Sequence, residues 1–444
     1  MEVLFEKIAI YTSVFLLCII IIYFYLRKLS KESKVVETKI QLAKKEGTFE
    51  PVSLHPMIDL NTCIKSGACI EACPEKDILG IVNGRATLVN ASLCVGHGAC
   101  FHACPVEAIS LVIGTEKRGV DLPHVSQDYE TNVPGIFIAG ELGGMGLIKN
   151  SVEQGRAAVQ SMFQKGIKPH QANYDLVIIG AGPAGISATL MAKKLGLNIL
   201  TLEQDTLGGT VFTFPRSKIV MTSPMDLPLY GKVKLFDTSK TELLNLWEKV
   251  ISENQIVITE NTKVSSIEAH EHLFTVKTTG GSEFLTKYVL LAIGRRGSPR
   301  KLNVPGEDSE KVAYRLLEPE NIIGKKILVV GGGDSAIEAA LSLAEQNEVM
   351  LSYRSEQFSR IKTKNNEKIQ HAILQGNINM QFNTQIEEIN KDSVLLVNNQ
   401  TKVKQNFMND QVYIFAGGEL PTEFLQKAGI QITKRFGYTV RKHK

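Results

Sequence analysis

The chain has 444 residues, 43% hydrophobic and 22% charged, which suits two to four ordinary globular domains. Its net charge of +4 is too small for its length to point to nucleic acid, and no segment is of low complexity. Six of the seven cysteines fall in one region and the seventh, Cys18, lies in an apolar run, so no pair is left for a structural disulfide and a reducing compartment is implied.

Residues 8–26, IAIYTSVFLLCIIIIYFYL, carry no charge. As a helix rising about 1.5 Å per residue they nearly cross a hydrocarbon core of about 30 Å. Tyr23, Phe24 and Tyr25 stand at the end of the run, where aromatic rings favour the membrane interface. A cleaved signal peptide is the rival reading, but the run is long, no basic stretch precedes it and no small-residue cleavage site follows it. Arg27, Lys28, Lys31 and Lys34 follow the run and only Lys7 precedes it, which puts the C-terminal bulk in the cytoplasm by the positive-inside rule. The expectation is a single-pass transmembrane helix within residues 1–26, anchored in the cytoplasmic membrane, and a charged tether over 27–56.

Residues 57–112 carry two copies of one pattern. Cys63-Ile-Lys-Ser66-Gly-Ala-Cys69-Ile-Glu-Ala-Cys73-Pro74 is followed by Cys94-Val-Gly-His97-Gly-Ala-Cys100-Phe-His-Ala-Cys104-Pro105. The two-cluster ferredoxin run is C-x2-C-x2-C-x3-C-P, and its fourth cysteine serves the other cluster. Both copies keep the first, third and fourth cysteines and the proline. Ser66 and His97 stand where the second cysteine is missing. The region resembles the bacterial ferredoxins, and the resemblance implies an α+β iron–sulfur domain with crossed ligation. One cluster takes Cys63, Cys69 and Cys104, with Ser66 at the fourth corner. The other takes Cys94, Cys100 and Cys73, with His97 at the fourth corner. Each is [4Fe–4S] or [3Fe–4S], and the first is the candidate for three irons because a neutral serine hydroxyl is a poor iron ligand. His97 is either a ligand or a hydrogen-bond donor beside the cluster. Imidazole in place of thiolate raises the reduction potential. A zinc site or a metal-free relic is the alternative.

Two strand–glycine–helix units follow. The first runs from Asp175 through Gly180, Gly182 and Gly185 into a helical pattern over 186–195, and its second strand ends at Glu203. The glycines let backbone approach a pyrophosphate at the helix N-terminus, and an acid about twenty residues on binds a ribose. The second unit runs from Lys326 through Gly331, Gly333 and Ala336 into a helix over 337–346, with its next strand ending at 352–354. Arg354 stands where the acid would be, with Arg360 and Lys362 close behind. An arginine there accommodates a 2′-phosphate, so NADPH is expected over NADH, with NADH left open. Two such folds imply a flavin domain and a nicotinamide domain. Residues 256–259 and 273–276 read as strands of a small antiparallel insert of the flavin domain.

Residues 115–444 resemble the thioredoxin-reductase-like FAD- and NAD(P)H-dependent oxidoreductases, through a linking run over 289–299, Val304-Pro-Gly306-Glu307 and a closing run over 412–421. The resemblance implies FAD on Gly180, Gly182, Gly185 and Glu203, with Gly209 and Thr210 in a stretch, 207–229, that covers the flavin. The family's last flavin-contacting motif looks like residues 131–141 here, with Gly140 and Glu141, yet it precedes the first glycine unit. The reductase therefore looks circularly permuted. Glu141 takes the place of an Asp that holds the ribityl chain, and a helix over 151–164 then points its N-terminus at the flavin. No cysteine follows Cys104, so a thioredoxin reductase's C-x-x-C is absent. Some bacillithiol-disulfide reductases resemble the region too, but their single cysteine beside the first glycine motif is Ala184 here.

The expected architecture is an anchor (1–26), a tether (27–56), a ferredoxin-like domain (57–112), an α/β flavin domain (113–310, with 113–170 the permuted segment) and a nicotinamide domain with tail (311–444). Electrons are expected to pass from NADPH through FAD and the clusters to a protein or membrane acceptor, and no side chain is named as catalytic. The combination also resembles the reductase half of glutamate synthase and of dihydropyrimidine dehydrogenase. Reverse flow that reduces NADP, or a membrane-tethered redox sensor, are the alternatives. The partners implied are the membrane and a redox protein or membrane electron carrier. The resemblance alone suggests a homodimer.

Overall fold

The computed structural model describes residues 2–443 apart from 47, 52–53, 76, 95, 118, 145, 167–170, 214–218, 222–223, 236, 296–297 and 359–360. The chain forms two units, Met1–Gly119 with Phe436–Lys444, and Val120–Arg435.

The first unit opens with helix α1, Glu2–Glu46. It is one helix long and apolar enough to cross a membrane, by length and composition. The charged tether expected over 27–56 is helical as far as Glu46, because α1 runs on to that residue. Its charged residues are good helix formers. Among them the positions at 33, 36, 40 and 43 are the ones turned from solvent, a spacing of three and four that marks one helix face. Ser33 and Ala43 are 8% and 1% exposed. The Asn83 N–H donates to Ser33 Oγ at 2.9 Å, Val36 covers Gly80, and Lys39 Nζ reaches Asp77 at 2.6 Å.

Strand His55–Ile58 pairs antiparallel with Ile109–Ile113, and a separate hairpin joins Leu79–Val82 to Arg85–Leu88. Two short helices, α2 (Ala68–Glu71) and α3 (Ala99–Ala103), each start from a glycine in the left-handed region, Gly67 and Gly98. The third strand of the His55–Ile58 sheet comes from the other end of the chain. Tyr438–Arg441 pairs antiparallel with Ile109–Ile113, and the His443 ring stacks on Phe101 of α3 at 3.6 Å between centroids. The tail expected to trail the nicotinamide domain is thus part of the first unit's sheet.

In the second unit five parallel strands lie in the order Ile258–Thr259, Ile199–Leu202, Tyr174–Ile179, Glu283–Leu291, Ile136–Ile138. Ile136–Ile138 precedes Tyr174 in sequence yet occupies the edge beyond Glu283–Leu291. The antiparallel insert is the hairpin Val264–His270 and Leu273–Thr278. Ile258–Thr259 does not belong to it, contrary to the sequence expectation. That short strand pairs parallel with Ile199–Leu202, and the turn after it, not an alternating pattern, starts the insert. Helix α4, Ile148–Gln164, crosses α5, Pro183–Lys194, so closely that a β-carbon on Gly155 would collide with the Ala184 carbonyl.

A second parallel sheet has the order Val312–Ala313, Gln411–Ile414, Lys326–Val330, Glu348–Tyr353, Ile378–Phe382. An antiparallel layer, Thr384–Ile389, Ser393–Asn398 and Lys404–Met408, buries Ile386, Val394 and Leu396 against it. The residues after this sheet leave it. Leu425, Ala428 and Ile430 are buried with Ile136 and Ile138, and Ile432–Arg435 pairs with Val120–Pro123. Overpacking the helix crossing tests this arrangement: G155A should lower stability by about 1–3 kcal/mol in chemical denaturation, where an ordinary helical Gly→Ala stabilises.

Candidate functional site

The two cysteine loops of the first unit are built alike, each turning through a left-handed pair before a short helix. Cys63, Ser66, Cys69 and Cys104 line one cavity with Ile58, Ile81 and Ile109. The fourth cysteine of the second copy therefore reaches the cavity of the first. Burial raises the Cys69 thiol, and the charges of Cys63 and Cys104 add to the effect. Burial with the charge of Cys73 pushes Cys94 up to about 11. Burial with Cys94 and Cys73 pushes Cys100 up to about 12. Cys73 and Cys94 are thus neighbours of Cys100, which also feels Cys69 across the two loops. His97 is half-buried with its Nε2 enclosed, and Ser66 is exposed.

Among the described residues no three of His, Cys, Asp and Glu converge on a point that could hold one metal ion. Four thiolates on zinc, each about 2.3 Å from the metal, would do so. Thiols spread around a cavity instead fit a cluster that spans them with its own iron and sulfide. The Ala108 N–H donates to Cys104 Sγ at 3.2 Å, a contact that eases reduction of a bound cluster. The two loops differ at one backbone position. Lys65 has φ 65° where the second loop has Gly96, φ 76°. A side chain costs about 1 kcal/mol there, and the Lys65 chain lies across Gly84.

In the second unit Gly182 caps the start of α5, and a β-carbon there would meet nothing, so the mouth is open to a ligand. Gly185 has the opposite role, because a β-carbon would strike the Gly180 carbonyl. Glu203 is 4% exposed, and its carboxylate accepts the Ala181 N–H at 2.6 Å and the Asp205 N–H at 3.1 Å. Burial raises its pKa against these donors. The Gly208 N–H donates to the Ala181 carbonyl at 3.0 Å, and Gly209 lies against Gly182, with exposed Thr210 next to it. Gly180, Gly182, Glu203 and Gly209 thus gather at one helix start.

Gly140 joins them. Its N–H donates to Gln154 Oε1 at 2.8 Å, and a β-carbon on it would touch Ala184. Ala184 itself is 4% exposed, at the α4–α5 crossing. Glu141 opens a short turn, Glu141–Gly143, before α4, which starts at Ile148 and not at 151. Burial lowers the pKa of Arg295, opposed by the charges of Glu141 and Asp121. Arg295 was not picked out by sequence reasoning, although it stands inside the linking run.

At the second helix start, Asp334–Leu343, a β-carbon on Gly331 would meet the Phe415 carbonyl, Gly333 faces open space, and Ala336 is fully buried beneath. Arg354 is exposed just past strand Glu348–Tyr353. Arg360 lies outside the described residues. Two residues that sequence reasoning missed shape this site. Asp334 Oδ1 accepts the Lys362 N–H at 2.9 Å and Asn365 Nδ2 at 2.7 Å, which ties the start of the helix Thr363–Leu374 to this helix start. The Tyr353 ring covers Gly332 and stacks on Phe358.

Glu307 braces the linker into this sheet. It is 5% exposed and accepts the Leu302 N–H at 2.7 Å, the Asn303 N–H at 2.6 Å and the Tyr314 hydroxyl at 2.6 Å. Burial would raise its pKa, but these donors together hold it below the usual glutamate value.

The chain matches the profile of the pyridine nucleotide-disulphide oxidoreductases over residues 177–442 and that of the 4Fe-4S dicluster domain over residues 55–105. It is similar to bacilliredoxin reductase Bdr of Bacillus subtilis, 26% identical over 267 residues, 59% of this chain and 82% of that one. It is similar to ferredoxin–NADP reductase of Ignicoccus hospitalis, 27% identical over 260 residues, 58% of this chain and 82% of that one. Among solved structures, bacillithiol disulfide reductase Bdr (YpdA) from Bacillus cereus matches with a TM-score of 0.53 at 24% identity, over 61% of this chain and 85% of that one, a likeness of fold.

A folded-state pKa below the unfolded value gives stability that is present above about pH 4.5 and lost as pH falls through the lowered value. E307Q should therefore cost about 1–3 kcal/mol near neutral pH, with the gap to the parent closing below about pH 4 in denaturation curves taken across pH.

Proposed function

Since the chain belongs to the pyridine nucleotide-disulphide oxidoreductase family and carries a 4Fe–4S dicluster domain, we propose that it is a membrane-anchored NADPH oxidoreductase sending electrons outward through two clusters. It is an FAD- and NAD(P)H-dependent oxidoreductase, and the dicluster domain implies electron transfer. One observation carries the proposal. Six cysteines lie in the two repeated loops, where Cys104 of the second copy lines the cavity of the first, and none stands beside the flavin motif, where Ala184 is found. Disulfide exchange lacks its nucleophile, so the electrons leave by the clusters.

A bound FAD would supply a centre that can accept two electrons from NADPH and give them up singly. The chain's own groups hold and tune these cofactors. The open helix start at Gly182 receives the FAD pyrophosphate, and Glu203 ties the glycine loop to the strand end beside it. Gly331 and Gly333 do the same for NADPH, with Arg354 on the 2′-phosphate. Cys63, Cys69 and Cys104 hold one cluster and Cys73, Cys94 and Cys100 the other, with Ser66 and His97 at the fourth corners. One thiolate fewer per cluster means less negative charge, which raises the potential and favours outward flow. The similarity to ferredoxin–NADP reductases supports exchange with a ferredoxin-type centre, here carried in the same chain. The long apolar part of α1 supports the anchor, and the cations after it support a cytoplasmic bulk.

Anaerobic titration of the detergent-purified protein with NADPH tests the path. Flavin bleaching followed by paramagnetic signals of reduced clusters is expected, and a bleached flavin beside clusters that stay oxidised would sink it. R354Q should raise KM for NADPH by roughly ten- to a hundredfold and change that for NADH by less than about twofold, measured in steady-state dye reduction.

A further inference from the structure

We propose that the cavity of Cys63, Ser66, Cys69 and Cys104 is the exit end of the chain of centres, and that the loop beside it, residues 60–66, serves a lipid-soluble, quinone-class carrier at the bilayer surface. This rests on the membrane-anchored reading given above.

The order of contacts along α1 carries it. The helix runs unbroken from the uncharged segment through Glu46. Asn83 meets Ser33 and Glu37, Gly80 meets Val36, and Asp77 meets Lys39. Thr48, just past the helix, meets Asn90 and Ser92. The turn at Asn83 and Gly84 is therefore the end of the domain nearest the bilayer, and the turn at Asn90 the far end. From Leu26 to Ser33 is about 10 Å of helix.

The two cysteine sets are ranked along the same line. Ile81 and Ala86, paired next to the near turn, line the cavity of Cys63, Ser66, Cys69 and Cys104, and Lys65 lies across Gly84. Cys94 instead follows the turn Ala91–Leu93, whose Ser92 N–H bonds the Thr48 carbonyl. The Ser66 set is the nearer to the bilayer.

The loop at the near end has the chemistry of an interface. Leu60 and Ile64 are 45% and 60% exposed. Lys65 keeps a strained backbone where the matching loop has glycine, so its charge is retained at a cost. With Arg27, Lys28, Lys31 and Lys34 it faces the anionic headgroup layer. A gap of about 10 Å is too shallow for a folded carrier, since a domain of 100 residues has a radius of gyration of about 13 Å. A ring rising from the lipid fits. The overall step balances: NADPH, one proton and the quinone give NADP+ and the quinol. The two electrons of the hydride cross the clusters one at a time, and the quinone oxygens gain two protons.

The test uses the full-length, cofactor-loaded protein in anionic liposomes containing a long-chain benzoquinone. Clusters reduced by NADPH should be reoxidised by these liposomes and not by quinone-free ones, and L60E should slow that reoxidation by about tenfold or more. A second readout does not depend on the clusters. L60W emission should be quenched by lipids brominated near the headgroup, against the buried baseline of Trp247, the chain's only tryptophan. An unquenched L60W, or reduced clusters left reduced by quinone liposomes but oxidised by a soluble ferredoxin, overturns this inference alone. Clusters that NADPH fails to reduce overturn the reading beneath it as well.

Discussion

Crossed placement of Cys73 and Cys104 governs the first unit. Each cysteine loop gives its last thiol to the other set and takes one back, so α2 and α3 must face each other before either site is complete. The same arrangement crowds buried thiols together, and Cys94 and Cys100 are pushed up to about 11 and about 12. The rest of the unit supports that pairing: α1 packs on the hairpin behind one site, and Tyr438–Arg441 and His443 press on the strand and helix behind the other.

The second unit repeats one device. A strand ends in glycines that admit a close ligand, and a helix starts from them. In each copy one glycine is demanded by protein backbone, Gly185 by the Gly180 carbonyl and Gly331 by that of Phe415. In each, another, Gly182 or Gly333, meets nothing and leaves room for a ligand. The copies then diverge in the residue after the next strand, buried Glu203 in one and exposed Arg354 in the other. That contrast suits a ribose held beside a carboxylate in one case and a phosphate met at the surface in the other.

Local motifs were legible in the sequence because their chemistry is set by spacing. The six cysteines and both glycine loops stand out by spacing, and the displaced segment around Ile136–Ile138 is marked by its resemblance to a family motif. What escaped depends on tertiary partners. The docked face of α1 is hidden among lysines and glutamates, and its short stripe of Ser33, Val36, Ile40 and Ala43 is blurred by Val35 and Leu42, which are apolar yet exposed. The Tyr438–Arg441 strand is short and polar, and its partner lies more than three hundred residues away, so no local pattern marks it. Glu307 and Asp334 look like surface acids in sequence and become braces only where backbone donors converge on them.

The account's central claim is that electrons run from NADPH outward through clusters poised to accept them. A potentiometric titration of the intact protein, followed by electron paramagnetic resonance, measures this directly. The account predicts midpoint potentials for both clusters above that of the NADPH couple. Midpoints well below it would mean that the clusters drive NADP reduction, and would contradict the claim.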